Sequence, residues 1–271
     1  MIQTALTIAG SDSGGGAGIQ ADLKTFAMHC VHGASALTCV TAQNSVGVSR
    51  VEAMSIPVVT SQIEAVATDL SVSAVKTGML LNHEIITAVA KQIQQYGFEQ
   101  LVVDPVMVSR AGSKLIDDEA IAALKDILIP LALIVTPNCY EAEILSGLTI
   151  DNLEQLKAAA ISIYHSFGVK VLAKGGALSG RERGIDVWYD GKEAKFLSQK
   201  TIQTKNNHGT GCTLSAAICA NLVLGKDLWL STLDAKKYVT GALRHSLDIG
   251  AGNGPVGHFF PLLESSSASS S

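Results

Sequence analysis

Six short runs of this chain are apolar almost throughout instead of on every second residue: Ala5-Leu6-Thr7-Ile8-Ala9, Ala36-Leu37-Thr38-Cys39-Val40, Val75-Lys76-Thr77-Gly78, Leu101-Val102-Val103-Asp104, Leu133-Ile134-Val135-Thr136 and Val169-Lys170-Val171-Leu172-Ala173. A strand with one wet face alternates; a continuous run implies burial on both faces. Helix-like segments separate the runs, near 17–30, 60–70, 83–96, 117–128 and 152–167, and two more follow near 211–224 and 231–247. The order predicts an α/β fold with a largely parallel sheet covered by helices on both sides. With 271 residues, 47% of them hydrophobic and 16% charged, the chain can bury one large core. It shows no internal repeat and no long linker, so one domain over 1–262 is expected. The Ser-rich tail, 263–271, is expected to be disordered.

The formal net charge is −4 and no basic stripe appears, which argues against a nucleic-acid or membrane-surface partner. Charge or proline interrupts the longest apolar runs well short of a membrane span. Met1-Ile2-Gln3-Thr4 carries no basic segment of a secretory signal. The five cysteines, Cys30, Cys39, Cys139, Cys212 and Cys219, form no Cys-x-x-Cys pair and read as reduced, small hydrophobes. Together these features predict a soluble, cytoplasmic protein.

Glycine and polar residues gather just after the strands: Gly10, Gln43-Asn44, Gly78-Met79, Asp104-Pro105, Pro137-Asn138 and Gly175-Gly176. Open parallel sheets bind ligands beyond the carboxyl ends of their strands, so these residues converge on one edge. Gly10-Ser11-Asp12-Ser13-Gly14-Gly15-Gly16-Ala17-Gly18 joins a strand to a helix and suits a close backbone approach to a ligand, or a plain tight turn. It is neither dinucleotide fingerprint nor Walker loop: Ile19 stands where the first needs glycine, and Gly16 where the second needs lysine.

The sharpest motif is Asn207-His208-Gly209-Thr210-Gly211-Cys212-Thr213, running into Leu214-Ser215-Ala216-Ala217-Ile218. A glycine turn opening a helix aims backbone amides and the positive end of the helix dipole at one place, an anion site suited to a phosphate in transfer. Cys212 either accepts a substrate proton, with its pKa lowered by the helix N-terminus, or merely fits the tight turn. His208 reads as structural or exposed, with no catalytic role. Elsewhere on the same edge, Gln43 and Asn44 either read a heterocycle's donor and acceptor edge or form a turn. Asp104, at a buried strand end, either caps a neighbour or faces a cation. Asn138 and Glu141 form a capping box, hold a hydrated Mg²⁺, or both. Lys174 reaches phosphate or lies on the surface, and Asp22 reads first as a solvated charge on the opening helix.

Taken together, Ala9 to Thr25, Thr41-Ala42-Gln43-Asn44, Lys76-Thr77-Gly78-Met79, Asp104-Pro105-Val106-Met107, Thr136-Pro137-Asn138 with Glu141, Lys174-Gly175-Gly176, the Gly-Thr-Gly-Cys turn and Gly254-Pro255-Val256 resemble ribokinase-fold kinases of the pyridoxal kinase branch. The likeness is greatest to the hydroxymethylpyrimidine/phosphomethylpyrimidine kinases of thiamine biosynthesis. It implies a ribokinase-like three-layer α/β/α fold, ATP and Mg²⁺ as cofactors, and two phosphorylations. The first acts on 4-amino-5-hydroxymethyl-2-methylpyrimidine and the second converts its monophosphate to the diphosphate. Carried over by position, Gly10, Asp22, Gln43, Met79 and Val106 line the pyrimidine pocket. Asp104, Asn138, Lys174, Thr210 and Lys236 serve the nucleotide, and Asp104 and Glu141 serve the metal. Gly209 and Gly211 build the anion hole beside Cys212 as base, and the family resemblance suggests a homodimer. Sugar kinases of this fold carry Asp at the position of Cys212, so the thiol favours a hydroxymethyl heterocycle. A pyridoxine/pyridoxal kinase is the alternative within the branch, and a non-catalytic vitamer-binding regulator the alternative of another class. Asn207 stands where the family leads one to expect Thr, and Cys139-Tyr140 where it leads one to expect Leu-Pro.

Overall fold

Neighbouring residues of each central strand go to opposite cores. Leu6 and Ile8 enter one and Ala5 the other; Val75, Val103, Val135 and Val171 enter the first, while Ala74, Val102, Ile134 and Leu172 enter the second. This is the physical content of the continuous apolar runs: each strand is covered on both sides. The computed structural model describes residues 3–107 and 116–268. Along the chain these residues form β1 (Thr4–Ala9), α1 (Gly18–Met28), β2 (His32–Leu37), β3 (Cys39–Gln43), β4 (Val48–Ala53), α2 (Ile56–Asp69), β5 (Val72–Thr77), α3 (His83–Tyr96), β6 (Leu101–Val103) and α4 (Asp118–Ala123). They continue with β7 (Ile134–Val135), α5 (Cys139–Ser146), α6 (Leu153–Phe167), β8 (Lys170–Ala173), β9 (Asp186–Tyr189), β10 (Ala194–Leu197), α7 (Thr210–Val223), α8 (Leu228–Arg244) and α9 (Phe260–Ala268).

The main sheet has eight strands in the order β10-β9-β8-β7-β6-β5-β1-β2. It is parallel from β2 to β8, and β9 and β10 extend it antiparallel. Helices α2 to α6 pack on the first core, and α1, α7 and α8 on the second, giving three layers of ribokinase-like α/β/α type. Helix α7 is buried from Thr213 to Val223, because it lies between the sheet and α8. Its amino end opens at the carboxyl edge of the sheet.

Several expectations need correction. The single strand expected over 36–40 divides at Thr38. There the amide still bonds Ala9 O, but the hydroxyl donates to Met79 O and the chain leaves the sheet. The next residues pair instead as a separate two-stranded ribbon, β3–β4. The helix expected over 117–128 is α-helical only to Ala123. It continues as a π turn over Leu124–Leu128 and a 3₁₀ turn over Ile129–Leu131, because Pro130 has no amide to carry the α ladder forward. Helix α9 runs into the Ser-rich stretch expected to be unstructured, whose last residues, 269–271, lie outside the described residues.

Leu6 is fully buried on β1, which lies between β5 and β2 in the sheet. Leu6→Ala is expected to cost about 2–5 kcal/mol, lowering the midpoint of urea denaturation without changing its slope.

Candidate active site

Asp12 organises the first glycine loop. Its Oδ1 accepts from the Gly14 amide at 2.8 Å, and its Oδ2 from the amides of Gly16 at 3.0 Å and Ala17 at 2.8 Å. The chain can turn tightly here because Gly15 and Gly18 take positive φ; a Cβ on Gly18 would lie 2.4 Å from Gly10 O. Across the edge, Gly209 caps α7 with φ of 83° and no side-chain cap; the Thr210 amide donates to Asn207 O at 3.4 Å, which leaves the amides of Gly211 and Cys212 as the uncapped ones at the helix start. Thr210 turns its hydroxyl back to Asn207 O at 2.6 Å. The two loops touch backbone to backbone: a Cβ on Gly209 would sit 1.8 Å from Gly16 O.

Beside this turn lies a charged cluster built by three strand ends. Asp104 Oδ1 accepts from Lys174 Nζ at 2.8 Å and Thr136 Oγ1 at 3.4 Å, and its Oδ2 accepts from Ser215 Oγ of α7 at 3.1 Å. A Cβ on Gly211 would meet Lys174 Nζ at 3.3 Å and Asp104 Oδ2 at 3.9 Å, so the amide turn and the cluster form one site. Burial pushes the Asp104 carboxyl up, but the Lys174 and Lys76 ammonium groups outweigh it and hold it below the ordinary range. Burial also pushes Glu141 up, to about 7, against the pull of Lys174. Asn138 and Glu141 form the capping box of α5: Asn138 Oδ1 accepts from the Glu141 amide at 3.0 Å, and Glu141 Oε2 from the Asn138 amide at 2.8 Å. Among the described residues no three His, Cys, Asp or Glu side chains gather as a metal cage. Asp104 and Glu141, both beside Lys174, suit a hydrated Mg²⁺ held jointly with phosphate oxygens.

Beneath the turn lies a pair that local sequence patterns do not reveal. Lys76 of β5 and Asp22 of α1 are both fully buried, with Lys76 Nζ donating to Asp22 Oδ2 at 2.8 Å and Thr7 Oγ1 donating to the same oxygen at 2.6 Å. The reading of Asp22 as a solvated helix charge is therefore overturned. Its Oδ1 is buried without a hydrogen-bond partner among the described residues. The usable signal was Lys76 itself, since a charge inside a strand covered on both faces needs a counter-charge.

The thiol of Cys212 departs from expectation in direction. Burial pushes it up to about 11; the Lys76 ammonium and the Gly18 amide pull it down, and the Asp22 and Asp104 carboxylates push it further up. The lowering expected from the helix N-terminus does not prevail. Of the other residues singled out, Gln43 ends β3 with its Nε2 3.4 Å from His208 Nε2. Met79, half-buried, would lie 2.9 Å from a Cβ on Gly10, and its carbonyl accepts the Gly10 amide. Val106 is half-buried on the turn after β6. Lys236 offers no free ammonium: it donates to Asp186 Oδ2 at 2.6 Å and Gly184 O at 2.7 Å, while Asp186 Oδ1 accepts the Gly175 amide at 3.0 Å. It therefore braces the turn after β8. His208, read as structural or exposed and without a catalytic role, bonds Asp12 Oδ2 through Nε2 at 2.8 Å. Ser215 and Thr136 lie within motifs already quoted but were given no role, since neither hydroxyl is distinctive until the fold brings it to Asp104.

The family profile described as phosphomethylpyrimidine kinase matches residues 12–257. A hydroxymethylpyrimidine/phosphomethylpyrimidine kinase of Synechococcus elongatus is 54% identical over 262 residues, covering 97% of this chain and 99% of that protein. One of Bacillus subtilis is 45% identical over 258 residues, covering 95% of each. Among solved structures, an ADP complex of Bacillus subtilis pyridoxal kinase superposes with a TM-score of 0.91 at 38% identity, covering 97% of this chain and 100% of that one. A phosphomethylpyrimidine kinase of Clostridium difficile superposes at 0.79 and 41% identity, covering 89% and 99%.

The buried pair yields a stability test. Asp22→Asn or Lys76→Met alone leaves a buried charge unpaired and is expected to cost about 3–5 kcal/mol in urea denaturation. The double variant, which buries no charge, is expected to lose less than the sum of the two.

Proposed function

The chain belongs to the phosphomethylpyrimidine kinase family, and on that premise we propose that this edge transfers the γ-phosphoryl group of ATP to 4-amino-5-hydroxymethyl-2-methylpyrimidine, and then phosphorylates the monophosphate to the diphosphate. One observation carries the reading: the uncapped amino end of α7 opens beside Lys174 and Asp104 while its glycine cap presses on the first glycine loop. Phosphoryl transfer asks a protein chiefly for positioning and charge neutralisation. In this proposal the amides of Gly209 to Cys212 and the Lys174 ammonium receive the transferred phosphate. Asp104 and Glu141 hold a hydrated Mg²⁺, with Asn138 fixing Glu141. Gly10, Gln43, Met79 and Val106 surround the heterocycle, with Asp22 beneath it. Thr210 and Lys236 support the nucleotide side by bracing the turns after 207 and 174. ATP, when bound, supplies the phosphoryl group.

Relatives from Geobacter sulfurreducens and Arabidopsis thaliana are named for thiamine biosynthesis, which supports the same pathway here. The proposal includes a single kinase domain over 1–262 and a cytoplasmic location; no helix among the described residues is long and apolar enough to cross a membrane. It also includes a homodimer, which the exposed Val40, Val48 and Val51 of the β3–β4 ribbon support. A second reading, a pyridoxine/pyridoxal kinase, is favoured by the superposition on pyridoxal kinase. A silent vitamer-binding module has less support, because the amide turn, the lysine and both carboxylates are all present.

The test is an assay with ATP, Mg²⁺ and each acceptor in competition, read as kcat/KM. Formation of the pyrimidine monophosphate and then the diphosphate is expected; formation of neither overturns the proposal, and preference for pyridoxine transfers it to the second reading. The proposal takes Cys212 as the base, and its raised pKa gives that role a signature. At about pH 7 only about one thiol in ten thousand is ionised, and the thiolate rises tenfold per pH unit below about 11. The kcat/KM for the pyrimidine is therefore expected to rise with unit slope from about pH 7 to 9. Cys212→Ala is expected to flatten this rise and lower kcat by about 10²–10⁴-fold. A flat parental profile assigns the step to the amides alone.

A further inference from the structure

Asp12 and His208 lie 196 positions apart in the sequence and meet at 2.8 Å where the two glycine loops touch. The Asp12 side chain is almost wholly buried and already accepts from the amides of Gly14, Gly16 and Ala17. His208 is tied on its other side as well. Its amide donates to Gly254 O, its carbonyl accepts the Val256 amide, and the next residue is the glycine cap of α7. There is no slack in this junction: a Cβ on Gly16 would lie 2.4 Å from His208 Cδ2 and 3.0 Å from Pro255 Cβ.

The chemistry fixes where the imidazole proton sits. The Asp12 carboxyl is held ionised: burial pushes it up, but the bonds from His208 and the loop amides win. An ionised carboxylate only accepts hydrogen bonds, so the His208 ring carries its hydrogen on Nε2. The Gln43 amide, 3.4 Å from that same atom, matches the ring N–H only with its oxygen turned toward it. Thr41 Oγ1 gives its one hydrogen to Ser11 O at 2.7 Å, so toward Gln43, 3.3 Å away, it only accepts and takes an amide N–H.

We propose that His208 is a positioning residue for phosphoryl transfer: its Nε2–H clamps the first glycine loop, through Asp12, against the turn that opens α7. The clamp fixes the separation between the hydroxyl to be phosphorylated and the amides that receive the phosphate. That the clamp serves phosphoryl transfer rests on the function proposed above; the clamp itself does not.

Three proteins test it: the parent, His208→Ala and His208→Gln, whose amide can donate to Asp12 as the ring does. A displacement of about 1 Å between reacting groups costs on the order of 10²-fold in rate. His208→Ala is therefore expected to lower kcat about 10–100-fold and to raise the pyrimidine KM, with the ATP KM within about twofold and the melting temperature little changed. His208→Gln is expected to recover most of the lost rate. With ¹⁵N-histidine, the parent is expected to show a slowly exchanging imidazole N–H correlation that disappears in His208→Ala. Parental kinetics in a folded His208→Ala protein, or a glutamine variant no better than alanine, overturns the clamp. So does the absence of the protected N–H in the parent. If the parent phosphorylates a different hydroxymethyl acceptor, the function proposed above fails while the same kinetics on that acceptor and the same spectrum still judge the clamp.

Discussion

The ion pair between Lys76 and Asp22 is sealed from solvent, and the geometry of the site follows from what it joins. Lys76 belongs to β5, Asp22 to α1, and Thr7 of β1 donates to the same carboxylate oxygen. Helix α1 begins where the first glycine loop ends, so pinning α1 to the sheet also sets where that loop stands. The loop in turn meets the cap of α7. Buried pairs add little net stability over a well-packed apolar core, but a half-broken pair is costly. Any slip of α1 along the sheet would leave Lys76 unpaired, so the pair penalises every register except this one.

A second buried pair, Lys174 with Asp104, stands beside the amide turn, and the thiol of Cys212 lies in the combined field. Each ammonium has its own carboxylate, so the cations largely cancel against their partners before they act on the sulfur. What remains is burial, and burial favours the neutral thiol. An arriving phosphate, being anionic, pushes the same way. With Cys212 as the proposed base, the acceptor's proton would thus be retained until late, which suits a loose transition state in which the leaving phosphoryl group is nearly free before the new bond forms.

The layers of the fold were legible because continuous apolar runs have one physical meaning, and the structure shows it residue by residue in the alternation of Leu6 and Ala5, or Val75 and Ala74, between two cores. The convergence of Gly10, Asp104, Asn138 and Lys174 followed from strand polarity alone. The capping box of Asn138 and Glu141 was readable because its partners are three residues apart. What escaped was non-local. Thr38 ends a strand through a bond to Met79, 41 positions away, and no local periodicity records that. Asp22 finds Lys76 at 54 positions and Asp12 finds His208 at 196. Strands β9 and β10 were missed because one lies at the sheet's edge and the other next to it, so their sequences need not be apolar throughout. The direction of the Cys212 shift escaped for a related reason: a helix N-terminus is visible in the sequence, whereas the depth of burial opposing it is not.

Two glycines carry the last step. Gly16 and Gly209 come from opposite ends of the chain, yet no side chain fits between them. Gly209 needs its positive φ to begin α7 without a side-chain cap, which leaves the amides of Gly211 and Cys212 uncapped at the helix start. Gly16 must be bare so that the His208 ring and Pro255 can close over it. Contact between two backbones is stiffer than contact between side chains, because neither surface can change rotamer to relieve a clash. The distance from the first glycine loop to the turn that opens α7 is therefore set by covalent geometry and by the helices anchored behind each loop. For the transfer proposed above, this would hold the acceptor hydroxyl and the phosphate at fixed separation without a large rearrangement of the surrounding side chains.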